Sequence, residues 1–255
     1  MNGIIWTFLG TLLTLSVTTL GAAGVFFVKK EIGGRLQSGF LGFAGGVMIA
    51  ASVWSLLLPG IEYAEENGQI SWLVITCGFL IGVWLLILVD YLIRKWESFQ
   101  VKRNTAMLVT AITAHNIPEG MAIGIAFALA AQDLQDASRL SGAIALTVGI
   151  AIQNFPEGTA VALPLINNGI SKKKAFFIGS MSAVVEPVFG VLAAAAANLV
   201  KGGMPWFLAF AAGAMIYVVV QELIPEAYIG AGEKSGTLGF IVGFLVMMIL
   251  DVAFG

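Results

Sequence analysis

The apolar positions of this chain form long, nearly unbroken stretches separated by short polar connections. A membrane-spanning helix needs about 20 mostly apolar residues. Eight stretches meet that requirement: Ile4–Val28, Ser38–Leu58, Ile70–Ile93, Thr105–Ala130, Leu140–Ile166, Lys174–Leu199, Trp206–Ile229 and Gly236–Phe254. They are too long and too numerous for the core of a soluble protein. The pattern predicts an all-α, polytopic membrane protein with eight transmembrane helices, a single transmembrane domain over 1–255. The first stretch has no basic residue before it and stays apolar up to Lys29, longer than the apolar region of a cleaved leader, so it is expected to be a retained helix.

Composition agrees with this pattern. Hydrophobic residues make up 58% and charged residues only 11%, against about a quarter charged in a soluble globular protein. The mean hydropathy is +0.93. A net charge of −2 argues against nucleic acid as a partner, and the single cysteine, Cys77, cannot form an internal disulfide.

Charge position adds an orientation. An even number of spans puts both termini on one side. One set of connections carries Lys29, Lys30, Arg35, Arg94, Lys95, Lys102, Arg103, Lys172, Lys173, Lys174 and Lys234; the other carries Arg139 and Lys201. Basic loops stay cytoplasmic, so both termini are expected outside. The outer connections are acidic, with Glu62, Glu65, Glu66, Asp133 and Asp136, which would concentrate cations there or simply be solvated. Within the spans, the pairs Gly42/Gly46, Gly78/Gly82, Gly120/Gly124 and Gly239/Gly243 predict close helix packing.

Chemistry enters where the apolar pattern is broken. Glu119, Glu157, Glu186, Glu222 and Glu226 fall well inside spans, while Asp90 and Asp251 lie near span ends, where they are expected to reach the interface. An acid at the bilayer centre costs at least about 2.5 kcal/mol and normally faces a cavity with a partner. No Lys or Arg lies deep in any span, so these acids are expected either to be protonated or to share a cation. The words "AHNIPEG" and "IQNFPEG" repeat in consecutive spans. In the fourth span His115 and Glu119 share a helical face, which Asn116 borders; Gln153, Asn154 and Glu157 repeat this in the fifth. Pro118 and Pro156 are expected to kink the fourth and fifth helices, freeing the carbonyls of Ala114 and Ile152. Pro187 would do the same within the sixth span, freeing that of Ala183.

Imidazole, amide and carboxylate ligands suit Zn²⁺, Mn²⁺ or Fe²⁺. Glu62 stands at the outer end, and Gln221, Glu222 and Glu226 near the inner end, so the polar groups can be ordered into a path. A metalloprotease would need a motif such as H-E-x-x-H, and the chain has one histidine. A proton-coupled carrier of an organic solute would leave the paired His, Asn and Gln unexplained, and a passive cation channel would share the same residues.

"HNIPEG", "QNFPEG", a mid-span glutamate and "ELIPEA", in four successive spans, resemble the ZIP divalent-metal transporters, especially their bacterial GufA-like and ZupT-like branch. The resemblance runs over the whole chain. It implies a ZIP-like bundle with a metal site between spans four and five, often binuclear. By matching positions, one metal would use His115, Glu119, Gln153 and Glu157. The second would use Asn116, Asn154 and Glu186, with Glu119 and Glu157 bridging. The implied function is transport of a divalent cation (Zn, Fe, Mn or Cd) as substrate into the cytoplasm, without a resident cofactor. The resemblance also implies a multi-pass protein of the inner or plasma membrane, a homodimer within the lipid bilayer, and an elevator-like or rocking motion of a four-helix bundle. Two departures stand out. Many members have His where this chain has Gln153, and the loop "RKWESFQVKRN" lacks the histidines that many members carry there.

Overall fold

The structure is a computed structural model that describes residues 2–27, 34–97, 103–132, 137–167, 169–199, 202–228 and 233–254. Side chains at 2, 93–97, 103–115, 160, 164, 167, 198, 199, 233 and 254 lie outside that description. Lys29, Lys30, Lys102 and Lys201, used above to orient the chain, and the acidic Asp133 and Asp136 also lie outside the described residues.

Among the described residues all regular structure is helical, in eight rods. Helices α1 (Asn2–Ala23), α4 (Ser71–Glu97), α5 (Arg103–Ala130), α6 (Ala137–Asn167) and α11 (Glu233–Phe254) are single pieces. The other three rods are composite: α2 (Gly34–Ala51) with α3 (Leu58–Glu66), α7 (Lys172–Ser182) with α8 (Val185–Leu199), and α9 (Met204–Val218) with α10 (Ile224–Ala227). Lipid cannot hydrogen-bond a free peptide group, so helices that satisfy their own backbone are the way to cross it. Six of the rods are long and apolar enough to do so, and Asn116–Ala130 adds a shorter apolar stretch.

The composite rods are where proline acts. Ser52–Leu57 and Val219–Leu223 are π-helical, and Pro59 and Pro225 follow them directly. The carbonyls four residues before these prolines, those of Ser55 and Gln221, therefore sit in the wider turn, which relieves the ring clash without ending the helix. Glu62, Glu65 and Glu66, expected in a connection, lie on its helical continuation α3. The sixth rod was expected as one helix; instead it breaks between Ser182 and Val185. The Ala183 carbonyl, expected to be free, accepts the Glu186 backbone N–H at 3.0 Å. Pro118 and Pro156 lie within α5 and α6, both continuous helices.

Glycine sets how the rods pair. The main partners are α2 with α11, α4 with α9, α1 with α6 and α5 with α8. A Cβ on Gly46 would run into the backbone of Phe240, one on Gly243 into that of Phe43, and one on Gly82 or Gly213 into Phe210 or Phe79. Gly124 meets Gly190 and Gly158 meets Thr18 in the same way. All four predicted glycine pairs thus lie at backbone-to-backbone contacts, where small residues let helices approach. Exchanging the first three rods for the last three, and the fourth for the fifth, carries each main pairing onto another. Helices α1, α5, α6 and α8 pack mutually as an inner four-helix bundle, and the α2/α11 and α4/α9 pairs flank it.

Candidate metal site and acid-lined cavity

Inside the inner bundle the polar residues of three rods converge. Asn116, Glu119, Gln153, Asn154 and Glu186 are completely buried, and Glu157 is 7% exposed. Close approach of α5 to α8 makes this possible: a Cβ on Gly120 would lie 2.6 Å from the Cα of Glu186. Glu186 occupies the first turn of α8, created by the break in the sixth rod. When ionised, its carboxylate there complements the positive end of the helix dipole.

Amides link the carboxylates. Gln153 Nε2 donates to Glu119 Oε1 and lies 3.5 Å from Asn154 Oδ1. Asn154 Nδ2 donates to Glu186 Oε1 at 3.0 Å. Thr14 of α1, a residue the sequence reading passed over, donates its hydroxyl to Glu186 Oε2. Glu119 is within electrostatic reach of both Glu157 and Glu186. Among the described residues, several buried atoms have no hydrogen-bond partner: Asn116 Oδ1 and Nδ2, Glu119 Oε2 and Gln153 Oε1. Three of these are oxygens with free lone pairs, the atoms a divalent cation would recruit. An unpaired buried polar group is costly, so the cluster is incomplete as a purely structural network. The side chain of His115 lies outside the described residues, although α5 carries it one turn before Glu119. Among the described residues, no three His, Cys, Asp or Glu side chains are gathered closely enough to hold a metal by themselves. The amides account for the difference, since they hold the acids apart and supply the intervening oxygens.

A second polar feature lies toward the Glu62 end. A cavity of about 410 Å³ opens between the inner bundle and the flanking rods; Glu62, Tyr63, Glu66, Arg139, Ser55 and Asp251 contribute its polar lining. Arg139 of α6 bridges to Glu66 of α3 at 3.0 Å and lies over the Tyr63 ring at 5.4 Å. Asp251, expected to reach the interface, lines this cavity: it is only 6% exposed, accepts a hydrogen bond from Ser55 at 2.5 Å, and has no partner for Oδ2 among the described residues. The signal for it was available, since an acid within an apolar span is a functional candidate wherever it falls; its position relative to Ser55 was not.

The cavity and the buried cluster share no lining residue. Along α5, Ala126 of the cavity floor is seven residues from Glu119, roughly 10 Å at helical rise. Ile123, Leu146 and Ile150 occupy the intervening positions with no exposure. Met247 of α11 lies against Gly149 at the same level. Among the described residues, these apolar side chains stand between the Glu62 end and the cluster. At the opposite end Gln221 and Glu226 are exposed and Glu222 is half-buried.

Comparison with known proteins agrees with this architecture. The family model described as ZIP Zinc transporter matches residues 97–251. Zinc transporter ZIP11 of Xenopus tropicalis is 35% identical, over 99% of this chain and 98% of its own length. Zinc transporter GufA of Myxococcus xanthus is 34% identical, over 96% and 97%. Zinc transporter ZIPB of Bordetella bronchiseptica is 35% identical, over 97% and 81%. With a family model covering more than half of its residues and full-length relatives above 30% identity, this chain belongs to the ZIP zinc transporter family.

Proposed function

We propose that the protein carries Zn²⁺ across the membrane by alternating access, with Glu119, Glu157 and Glu186 supplying the charge of the site. His115, Asn116, Gln153 and Asn154 complete the ligand set. The observation that carries this reading is the set of free oxygens on Asn116, Glu119 and Gln153, fully buried beside two more carboxylates. Two adjacent metals would use Glu119 and Glu157 as bridges. The amide oxygen of Gln153 is a harder donor than imidazole, which lets the harder cations Mn²⁺ and Fe²⁺ compete with Zn²⁺.

The acid-lined cavity is the outer vestibule, and Glu62 and Asp251 draw the cation in. The apolar seal of Ile123, Leu146, Ile150 and Met247 separates vestibule from site in this state, which supports a carrier over an open channel. The ion leaves past Gln221, Glu222 and Glu226 toward the cytoplasm. Both termini then face outward, and pairing of two copies in the bilayer completes the assembly. Membership of a transporter family sets the chain apart from enzymes, and the metal is cargo rather than a cofactor. In reconstituted vesicles, uptake of Zn²⁺, Cd²⁺, Mn²⁺ and Fe²⁺ is expected to saturate and to be lost in Glu119→Ala and Glu157→Ala. Folded, inserted protein with no metal uptake would refute this reading and favour a proton-coupled carrier of an organic solute.

A further inference from the structure

We infer that Thr14 is a positioning residue for the transported metal: its hydroxyl fixes the carboxylate of Glu186 in the orientation that the site requires. This rests on the reading of Glu186 as a metal ligand.

Helix α1 carries a column of completely or almost completely buried threonines at Thr7, Thr11, Thr14 and Thr18. Buried hydroxyls on a membrane helix usually return a hydrogen bond to the carbonyl one turn back. Thr7, Thr11 and Thr18 do this, to Gly3 at 2.8 Å, Thr7 at 2.8 Å and Thr14 at 3.1 Å. Of the four, Thr14 is the one that reaches another rod. Its single proton has two acceptors in range, the Thr11 carbonyl at 3.0 Å and Glu186 Oε2. A charged acceptor makes the stronger bond, so an ionised Glu186 takes the proton.

The surrounding packing aims Thr14 at this acid. A Cβ on Gly190 would lie 3.0 Å from the Thr11 methyl and 3.2 Å from the Thr7 methyl, so the threonine column faces α8. One turn back along α8 from Gly190 stands Glu186, and one turn on along α1 from Thr11 stands Thr14. Glu186 is thereby gripped at both oxygens, by Asn154 Nδ2 on Oε1 and by Thr14 on Oε2. Its backbone begins a helix just after a break, where the intact ladder of a continuous helix is missing. Without Thr14 the carboxylate would keep one tether and could rotate away from Asn154. Groups that orient a metal ligand typically contribute 10- to 100-fold in affinity.

The test compares Thr14→Val, Thr14→Ser and Thr11→Val for Zn²⁺ uptake in vesicles and for Zn²⁺ binding to detergent-purified protein by calorimetry. Thr14→Val is expected to raise KM and Kd by roughly tenfold, while Thr14→Ser, which restores the hydroxyl, and Thr11→Val, which removes a hydroxyl bonded within its own helix, stay near wild type. In a Glu186→Gln background Thr14→Val should add little. A wild-type KM and Kd in Thr14→Val would overturn the assignment. So would equal losses in Thr14→Val and Thr11→Val, which would make the column structural. Unchanged KM and Kd in Glu186→Ala would instead remove Glu186 from the site, and this role for Thr14 with it.

Discussion

Substitution of Gly120 by alanine isolates the link between helix packing and the proposed metal site. The added Cβ would lie 2.6 Å from the Glu186 Cα and 2.9 Å from its carbonyl carbon. Ordinary contact begins near 3.4 Å, so α5 and α8 must part by at least about 0.8 Å. Both atoms are backbone and cannot swing aside. Overpacking of this kind costs about 1–3 kcal/mol. The same shift carries Glu186 away from Glu119, and metal–ligand distances tolerate only about 0.2 Å. The expected result is a lower melting temperature together with at least a tenfold loss of Zn²⁺ affinity, measured by thermal unfolding in detergent and by uptake KM. Gly124→Ala clashes with the Gly190 backbone, closest at its carbonyl oxygen, one turn further from the site, so it should cost at least as much stability with a smaller effect on KM. Gly39→Ala, whose nearest neighbour would be 3.7 Å away, should change neither. A Gly120→Ala protein with wild-type melting and KM would refute the claim that this contact positions Glu186.

Further outcomes follow from individual residues. Gln153→His replaces an amide oxygen with an imidazole nitrogen and should shift competition toward Zn²⁺ and away from Mn²⁺, read by dual-isotope uptake; unchanged ratios would place residue 153 outside the ligand set. Asp251→Asn removes charge from the acid-lined cavity while keeping an acceptor for Ser55, so it should raise KM without lowering the melting temperature; an unchanged KM would mean that cations do not pass it. Arg139→Gln breaks an exposed ion pair and should cost less than about 1 kcal/mol, an effect that disappears in high salt. Zn²⁺ at a hundred times Kd should stabilise the wild type against unfolding by about 2.7 kcal/mol and should not stabilise a Glu119→Ala, Glu157→Ala double variant.

The sequence by itself determined the environment and the chemistry. Stretches of some 20 apolar residues allow little but membrane helices, and each predicted glycine pair lies where two backbones meet, because only a missing Cβ permits that approach. The acids of "HNIPEG" and "QNFPEG" were legible because an unpaired carboxylate within a span demands a reason. What the tertiary structure decided depends on neighbours distant in sequence. Proline announces a disturbance but not its form: at Pro59 and Pro225 it became a π turn, near Pro187 a break that places Glu186 at a helix start, and at Pro118 and Pro156 continuous helix. Asp251 looked free to reach the interface because its position along α11 says nothing of Ser55, 196 residues away in the chain. Thr14 gave no signal, since a threonine on a membrane helix ordinarily bonds its own backbone. Only the packing of α1 against α8 turns that hydroxyl toward the carboxylate.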